Sequence, residues 1–406
     1  MTPRQTARFC VLAAAMSIAR PCHAGVWGAQ PLVGISGDYA TNPGLLNLPN
    51  TAESHGALLL DAPTTYNGDA FKFSVLPSFR LSDTQGYSSL DSDYEHLNVT
   101  SEFDTARSAL ILSAGLARDS SLYHDYILDG ATGVRRDTAT ADLNWDRRLT
   151  ERLEFSTDIS SSRVRYGQSV GVGTLTDYKY TSATPTLAWD ESEQTKITAT
   201  ASAGQYKSLD GTTKSTNANL QLGFVKKLTE IWSLSASTGY SRANNELHFT
   251  EQFLEFTGTG FVVVSEPIAL KSSQNGSVFS VSLSRQTELL SLTADASRKL
   301  VPSGFAFLSL QQSYGGHVSY VESEKWTFGG DLHRIQYTNP PRNGAAAADV
   351  KVTSITAFAT WRWTEHWTVT MNASRIMEHY GSPSTNTASS GISIELARQF
   401  DWKQFQ

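Results

Sequence analysis

Cysteine is nearly missing from this chain, and the little there is lies where it cannot staple a fold. Cys10 and Cys22 both fall in the first 24 residues. That stretch has the layout of a secretory signal peptide, 1–24: Arg4 and Arg8 form a positive head, Phe9 to Ala19 is mostly apolar, and Cys22-His23-Ala24 ends in small-residue cleavage chemistry. Arg20-Pro21 is a poor context for lipidation of Cys22, and nothing after Ala24 continues a helix. Without the leader the chain has no cysteine, hence neither a disulfide nor a cysteine metal site. Basic charge is short as well: beyond residue 24, 30 Lys and Arg face 39 Asp and Glu, a balance of −9. That excludes a general electrostatic case for nucleic acid. Long hydrophobic runs are also lacking. No stretch after residue 24 reaches the roughly eighteen apolar residues of a transmembrane helix, which excludes a helical inner-membrane bundle but not a membrane barrel. Glycine-rich phosphate loops and zinc-spaced histidine clusters are missing too, so no cofactor and no metal is expected.

What the chain does have is a period of two. In "LEFSTDIS", Leu153, Phe155, Thr157 and Ile159 share one face, and Glu154, Ser156, Asp158 and Ser160 the other. "WSLSAST", "VFSVSLSR", "LLSLTADAS" and "HWTVTMNAS" repeat the pattern from Trp232, Val278, Leu289 and His366. Successive strand side chains point to opposite sides, so each ribbon has a greasy face and a hydrophilic one. Strands are expected at about 31–39, 56–63, 70–82, 92–104, 107–119, 134–147, 151–166, 175–190, 194–208, 213–227, 230–245, 275–286, 288–299, 304–321, 325–339, 348–363, 366–380 and 387–402. That makes eighteen, with sixteen as the alternative count.

The connections alternate in length. Tight ones carry a small Thr-Glu or Ser-Glu signature: "RRLTER", "DESEQ", "KKLTEI", "RQTEL", "ESEKW" and "RWTEHW". The others are rich in Gly, Asn, Asp and Pro, and 120–133, 246–274 and 340–347 are long. A soluble sandwich or β-helix must pack its greasy faces on each other. Strands of 13–16 residues are long for that, whereas a tilted membrane strand needs about 9–11 within the hydrocarbon and can project beyond it. Aromatics gather near the turns, among them Trp189, Trp232, Trp326, Trp361, Trp363, Trp367 and Trp402. Interfacial girdles favour such placement. The expected fold is therefore all-β, a transmembrane antiparallel outer-membrane β-barrel filling 25–406, with outer-membrane lipid around it. An open edge in lipid would strand backbone polar groups, so 389–400 must pair with the first strand.

Three stretches carry a resemblance: "SGDYATNPGLL" (36–46), the "LTER" and "LTEI" turns with the ribbons after them, and "GISIELARQF" (391–400). In these the chain resembles the bacterial outer-membrane β-barrel porins encoded beside exopolysaccharide or exosortase gene clusters. The resemblance spans the chain beyond the leader and is diffuse. It implies recognition by the barrel-assembly machinery, with Gly391, Ile394, Leu396 and Phe400 as the terminal signal. Six residues follow Phe400, so Trp402 or Phe405 is an alternative aromatic. It also implies cargo of oligo- or polysaccharide, handed on by periplasmic polysaccharide-export proteins.

The polar parity marks Asp142, Asp146, Glu154, Asp158, Lys196, Asp295, Asp331, Arg362 and Glu395 as lumen-lining candidates among Ser, Thr, Asn and Gln. Lys72 and Arg80 share a face near opposite ends of 70–82. Tyr178, Tyr180, Phe307 and Phe358 are candidate lumenal aromatics for sliding contacts with sugars. The stretch "FLEFTGTGFVVVSEP" within 246–274 either extends a hairpin beyond the membrane or folds inward as a constriction. An enzyme is not expected. A lipid hydrolase would need a nucleophile beside the Asp331-His333 pair, and His317 takes the opposite, lipid-side parity. A non-conducting structural or assembly barrel is the remaining alternative.

Overall fold

The computed structural model describes residues 25–43, 45, 52–85, 94–120, 134–167, 175–256, 261–303, 308–338, 349–381, 384–400 and 402–405. The expected signal peptide, 1–24, lies outside them. The described chain is one antiparallel sheet closed on itself, an 18-strand barrel without helices. In chain order the strands are β1 (Val26–Ala29 and Leu32–Thr41), β2 (Ala52–Asp61 and Thr64–Asn67), β3 (Phe71–Gln85), β4 (Tyr94–Asp104), β5 (Ser108–Ser120) and β6 (Arg135–Arg148). Next come β7 (Leu153–Tyr166), β8 (Tyr178–Asp190), β9 (Thr195–Ser208), β10 (Thr213–Lys227), β11 (Trp232–Phe256) and β12 (Phe261–Gln286). The circuit ends with β13 (Leu290–Pro302), β14 (Leu308–Val321), β15 (Trp326–Thr338), β16 (Asp349–Arg362), β17 (Trp367–Gly381) and β18 (Ser384–Gln399 and Trp402–Phe405). Each pairs with its sequence neighbour, and β18 pairs with β1 from Leu32↔Gln399 to Thr41↔Ser390.

The Thr-Glu turns have a local cause. Thr150 Oγ1 accepts from the backbone N–H of Arg152 and Leu153, at 3.3 and 3.0 Å. Thr229 does the same for Ile231 and Trp232, and Thr364 for His366 and Trp367. Ser323 replaces Thr in one turn with the same geometry. One hydroxyl satisfies two N–H groups that the reversing chain leaves without ladder partners. The acid that follows is exposed to water.

The greasy parity faces outward. One register row runs Leu81, Leu58, Ile35, Leu396, Val369, Trp361, Trp326 across seven neighbouring strands and through the closure. Ile35 is 59 % exposed, Leu222 63 % and Ile392 61 %. Leaving such side chains in water costs about 1.5–3 kcal/mol each, and a row of them requires an apolar surrounding. That surrounding is lipid, because no second layer of protein covers this face among the described residues. Trp326, Trp361 and Trp363 stack with centroids 5.7 and 6.2 Å apart at the turn end. Arg398 lies over Trp367 and Phe400 there, at 5.5 and 4.7 Å, a cation-π arrangement at the membrane border.

Proline interrupts the ladder of β1 and β2 without opening it. The carbonyls of Pro31, Pro63 and Pro77 accept from Phe400, Gln30 and Ala62, at 2.8, 3.1 and 3.1 Å. Within the long outer segment 246–274 the chain is paired strand for most of its length, an extension of the hairpin. β11 and β12 stay in register from Trp232↔Arg285 to Phe256↔Phe261. Their outer part continues past the last partners on either side, Thr213 of β10 and Arg298 of β13. The alternation in "FLEF" and "FVVVSEP" sustains the ladder.

Candidate functional site

Eighteen strands at about 4.8 Å spacing and roughly 40° tilt close into a cylinder about 35 Å across, wide enough for an aqueous bore. Its wall is hydroxylic. Ser160 and Ser182 meet at 2.6 Å, Thr186 and Thr200 at 3.0 Å, Ser233 and Ser284 at 2.6 Å, and Ser297 and Ser313 at 2.7 Å. These are cross-strand pairs on the inner parity. Each pair settles one hydrogen bond and leaves further lone pairs for water or a solute.

Charged residues are set into this wall in groups. At the turn end Lys72 Nζ binds Glu102 and Asp104 at 2.7 and 3.1 Å. Lys196 reaches Glu154 at 3.0 Å and Asp190 at 3.7 Å. Asp142, Asp146 and Asp158 share the inner face of β6 and β7, opposite Ser160, Ser156 and Asn144. No ion pair with any of the three is formed among the described residues. Arg80 pairs with Asp38 one strand-pair from Glu395, which stands opposite Ser36. Asp295 lies across Gly315, where a Cβ would collide with its carboxylate. Arg362 stands exposed at the turn end opposite Thr368.

Asp331 is not partnered as the alternation suggested. His317 faces it directly, with Nδ1 2.7 Å from Asp331 Oδ1, so His317 belongs to the inner wall. Tyr314, Val318 and Tyr320 hold the outer parity of β14. The adjacent glycines 315 and 316 had blurred which parity was which. Among the described residues the hydrogen-bond partner of His317 is Asp331, not a serine hydroxyl.

Of the aromatic candidates, Phe358 lies with its ring against Gly329 on the inner face. Phe307 lies outside the described residues. Tyr178 and Tyr180 do not line an open bore. Tyr178 is buried, stacked on Tyr206 at 5.0 Å, and Tyr180 Oη donates to Asn217 at 3.4 Å. They belong to a cluster of Val164, Tyr178, Tyr206, Ala243 and Leu308, with Leu300 packed against it. These side chains come from β7, β8, β9, β11, β13 and β14. Tyr206 Oη donates to the Ser303 carbonyl at 3.3 Å, a contact between β9 and the end of β13 that skips three intervening strands. Such a contact crosses the bore rather than following the wall. A second inward cluster, Val350 and Val352 against Ile376, sits at the same end. Among the described residues, inward packing is therefore concentrated at the loop end of the bore. The usable signal was bulky apolar residues on the polar parity: Val164, Val278, Val350 and Val352 all break the pattern near the long loops.

The assembly-signal residues divide by face. Ile394 and Leu396 point outward, Gly391 packs beside Ala40 and Ser374, and Phe400 carries the Arg398 guanidinium. Trp402 pairs opposite Ala29, beyond the break at Phe400.

A closed antiparallel wall, an apolar exterior and a polar bore, with tight turns at one rim and longer loops at the other, define an outer-membrane β-barrel. No protein-family model matches the chain, and no curated protein matches it either. Solved barrels do. The ferric citrate transporter FecA in its unliganded form aligns over 92 % of this chain and 78 % of its own, with TM-score 0.49 and 8 % identity. OpdK of Pseudomonas aeruginosa, solved with vanillate, aligns over 92 % and 99 %, with TM-score 0.46 and 10 % identity. OccAB3 of Acinetobacter baumannii aligns over 92 % and 99 %, with TM-score 0.43 and 10 % identity. Likeness of this degree concerns backbone shape and says nothing of cargo.

Proposed function

We propose that this barrel is a porin-like channel whose hydrated bore passes small polar solutes, and that its cargo is oligo- or polysaccharide in the course of exopolysaccharide export. The observation that carries the channel reading is the set of four cross-strand hydroxyl pairs on the inner wall. A purely structural barrel has no need of a hydrated face of this size. For the cargo, hydroxyl and amide groups suit the many donors and acceptors of a sugar, and Phe358 offers an aromatic face. The acids of β6 and β7 favour neutral sugars and cations over acidic polymers. The packed loop end supports a second reading, a barrel closed until a partner or cargo opens it.

Reconstitution separates these readings. Purified protein in planar bilayers and in sugar-loaded liposomes is expected to conduct, to prefer cations and to release neutral oligosaccharide. Current without sugar release removes the saccharide reading and keeps the channel. Silence in both assays, persisting when the loop-end packing is loosened by substitution, removes the channel itself.

A further inference from the structure

On the outer wall, the loop end of the barrel is basic. Arg163, Lys179, Lys207 and Lys214 stand on the four neighbouring strands β7 to β10. Each is the direct register partner of the next: Arg163 opposite Lys179, Lys179 opposite Lys207, Lys207 opposite Lys214. All four are exposed, and they alternate along their strands with the buried Val164, Tyr178, Tyr206 and Ser215, so their charged ends point away from the barrel. Like charges directly opposite on a sheet repel. Among the described residues, no carboxylate lies within ion-pair distance of Arg163, Lys179 or Lys207. The row runs on through Glu246 to Lys271, themselves paired at 3.2 Å. There Lys214, Asn244 and Lys271 help line an open cleft of about 410 Å³.

The row's height is informative. Along β7 the outward residues go from Phe155 and Ile159 through Ser161 to Arg163, and along β10 from Leu222 and Leu220 through Thr216 to Lys214. The cations begin where the apolar band ends. This is the level of lipid headgroups, not of acyl chains. Four strands at about 4.8 Å spacing spread the charges over roughly 14 Å, enough for two phosphates of one headgroup or of two neighbours.

We propose that the Arg163–Lys179–Lys207–Lys214 row binds the phosphate groups of an anionic lipid in the leaflet bordering the loop end. This inference rests on the barrel's place in the membrane and not on its channel activity. A tethered headgroup fits better than a soluble anion. The row is shallow and open, which gives a free phosphate little enclosure. Directly beneath it, Leu220 and Leu222 are 62 % and 63 % exposed and offer a bed for acyl chains. The bound phosphates supply the counter-charge that the protein itself withholds.

Native mass spectrometry of the full mature barrel in detergent tests this, with a diphosphorylated glycolipid and its dephosphorylated form as probes. The native barrel is expected to retain the phosphorylated lipid at least tenfold better than the dephosphorylated one. The variant R163Q/K179Q/K207Q/K214Q is expected to lose that preference, and Glu193→Gln in a tight turn to keep it. Equal retention of both lipids, or full retention by the quadruple variant, overturns the proposal. So does complete displacement of the lipid by millimolar inorganic pyrophosphate, which would mark a site for soluble anions. If the quadruple variant does not assemble, Lys207→Gln alone is expected to weaken retention severalfold, and no change there overturns the proposal. Lipid-free Lys207→Gln should also melt no lower than the native barrel, because it relieves repulsion; a lower midpoint counts against the row as a ligand site.

Discussion

Tyr206 is the side chain on which the closure of the mouth turns. It is 0 % exposed, stacked on Tyr178, and bonded through Oη to the Ser303 carbonyl four strands along the wall. Truncating a fully buried aromatic to alanine costs about 3–5 kcal/mol. Most of that cost should fall on docking of the β13–β14 end rather than on the barrel, because Tyr206 meets Leu308 and Ser303 across the bore while its own strand stays laddered to β8 and β10. A loss of about 3 kcal/mol shifts the ratio of open to closed mouths by roughly a hundredfold. Tyr206→Phe keeps the ring and removes only the hydrogen bond, worth about 1 kcal/mol, or roughly fivefold. Single-channel recording of the native barrel, Tyr206→Phe and Tyr206→Ala should therefore give a rising series of open fractions, Tyr206→Ala far above the other two. Heat-modifiable migration in each sample confirms that the barrel has assembled. Identical open fraction and conductance in all three assembled proteins would refute the reasoning, since the packed end would then not obstruct the path.

Replacing Asp142, Asp146 and Asp158 together by Asn should move the reversal potential in a salt gradient toward zero. Each carboxylate is worth about 0.5 kcal/mol to a cation roughly 8 Å away in water, and the effect should shrink in 1 M salt. Thr229→Val removes the acceptor for two turn amides and should lower the unfolding midpoint by an amount matching about 0.5–1 kcal/mol, read by denaturant titration; an unchanged midpoint argues that water replaces the hydroxyl. Asp210, in the exposed turn between β9 and β10, is pushed up by partial burial, but bonds from Ser208 and from the backbone and hydroxyl of Thr212 outweigh that and hold it below the usual carboxylate range. A depressed folded pKa means its stabilisation is present above the unfolded value and is lost as pH falls through the folded one. Amide protection at Thr212 should accordingly fade only on strong acidification, and Asp210→Asn should remove that pH dependence.

The eighteen ribbons could be read in advance because nearly every strand repeats the same two-residue rule over ten or more residues, so an error at one position is outvoted by the rest. The tight turns were equally legible, since one residue, Thr or Ser, does the capping and recurs at a fixed offset from the next strand. Individual side chains on the wall have no such redundancy. His317 follows two glycines, and with no side chain at 315 or 316 nothing local fixes its parity; only its register against Asp331 does. The loop-end packing was hidden for a related reason. It joins β9 to the end of β13, past three intervening strands, and no periodicity along one strand reports a contact between strands that are not neighbours. The 246–274 stretch leaves two readings open, a hairpin extension or an inward constriction, because its alternation fits either; the register from Trp232↔Arg285 to Phe256↔Phe261 is that of an extended hairpin.

The seam shows how solvent decides what a strand end must do. Within the membrane, β18 is bonded to β1 without a gap from Gln399 to Ser390, because an open N–H or C=O in hydrocarbon costs several kcal/mol. Beyond Phe400 that constraint lapses, and the pairing becomes irregular: Trp27 meets Phe405 and Ala29 meets Trp402, with a shift between them. Trp402–Phe405 thus extend the seam. Any machinery that reads the last strand by pairing with it meets two segments in series, one regular and ending at Gln399, one irregular and ending at Phe405. The aromatic at the end of the regular segment, Phe400, has its ring engaged by Arg398 at the membrane border, where its backbone also bonds the Pro31 carbonyl. Its position is fixed by the bilayer edge and by the first strand together, which only a closed barrel supplies.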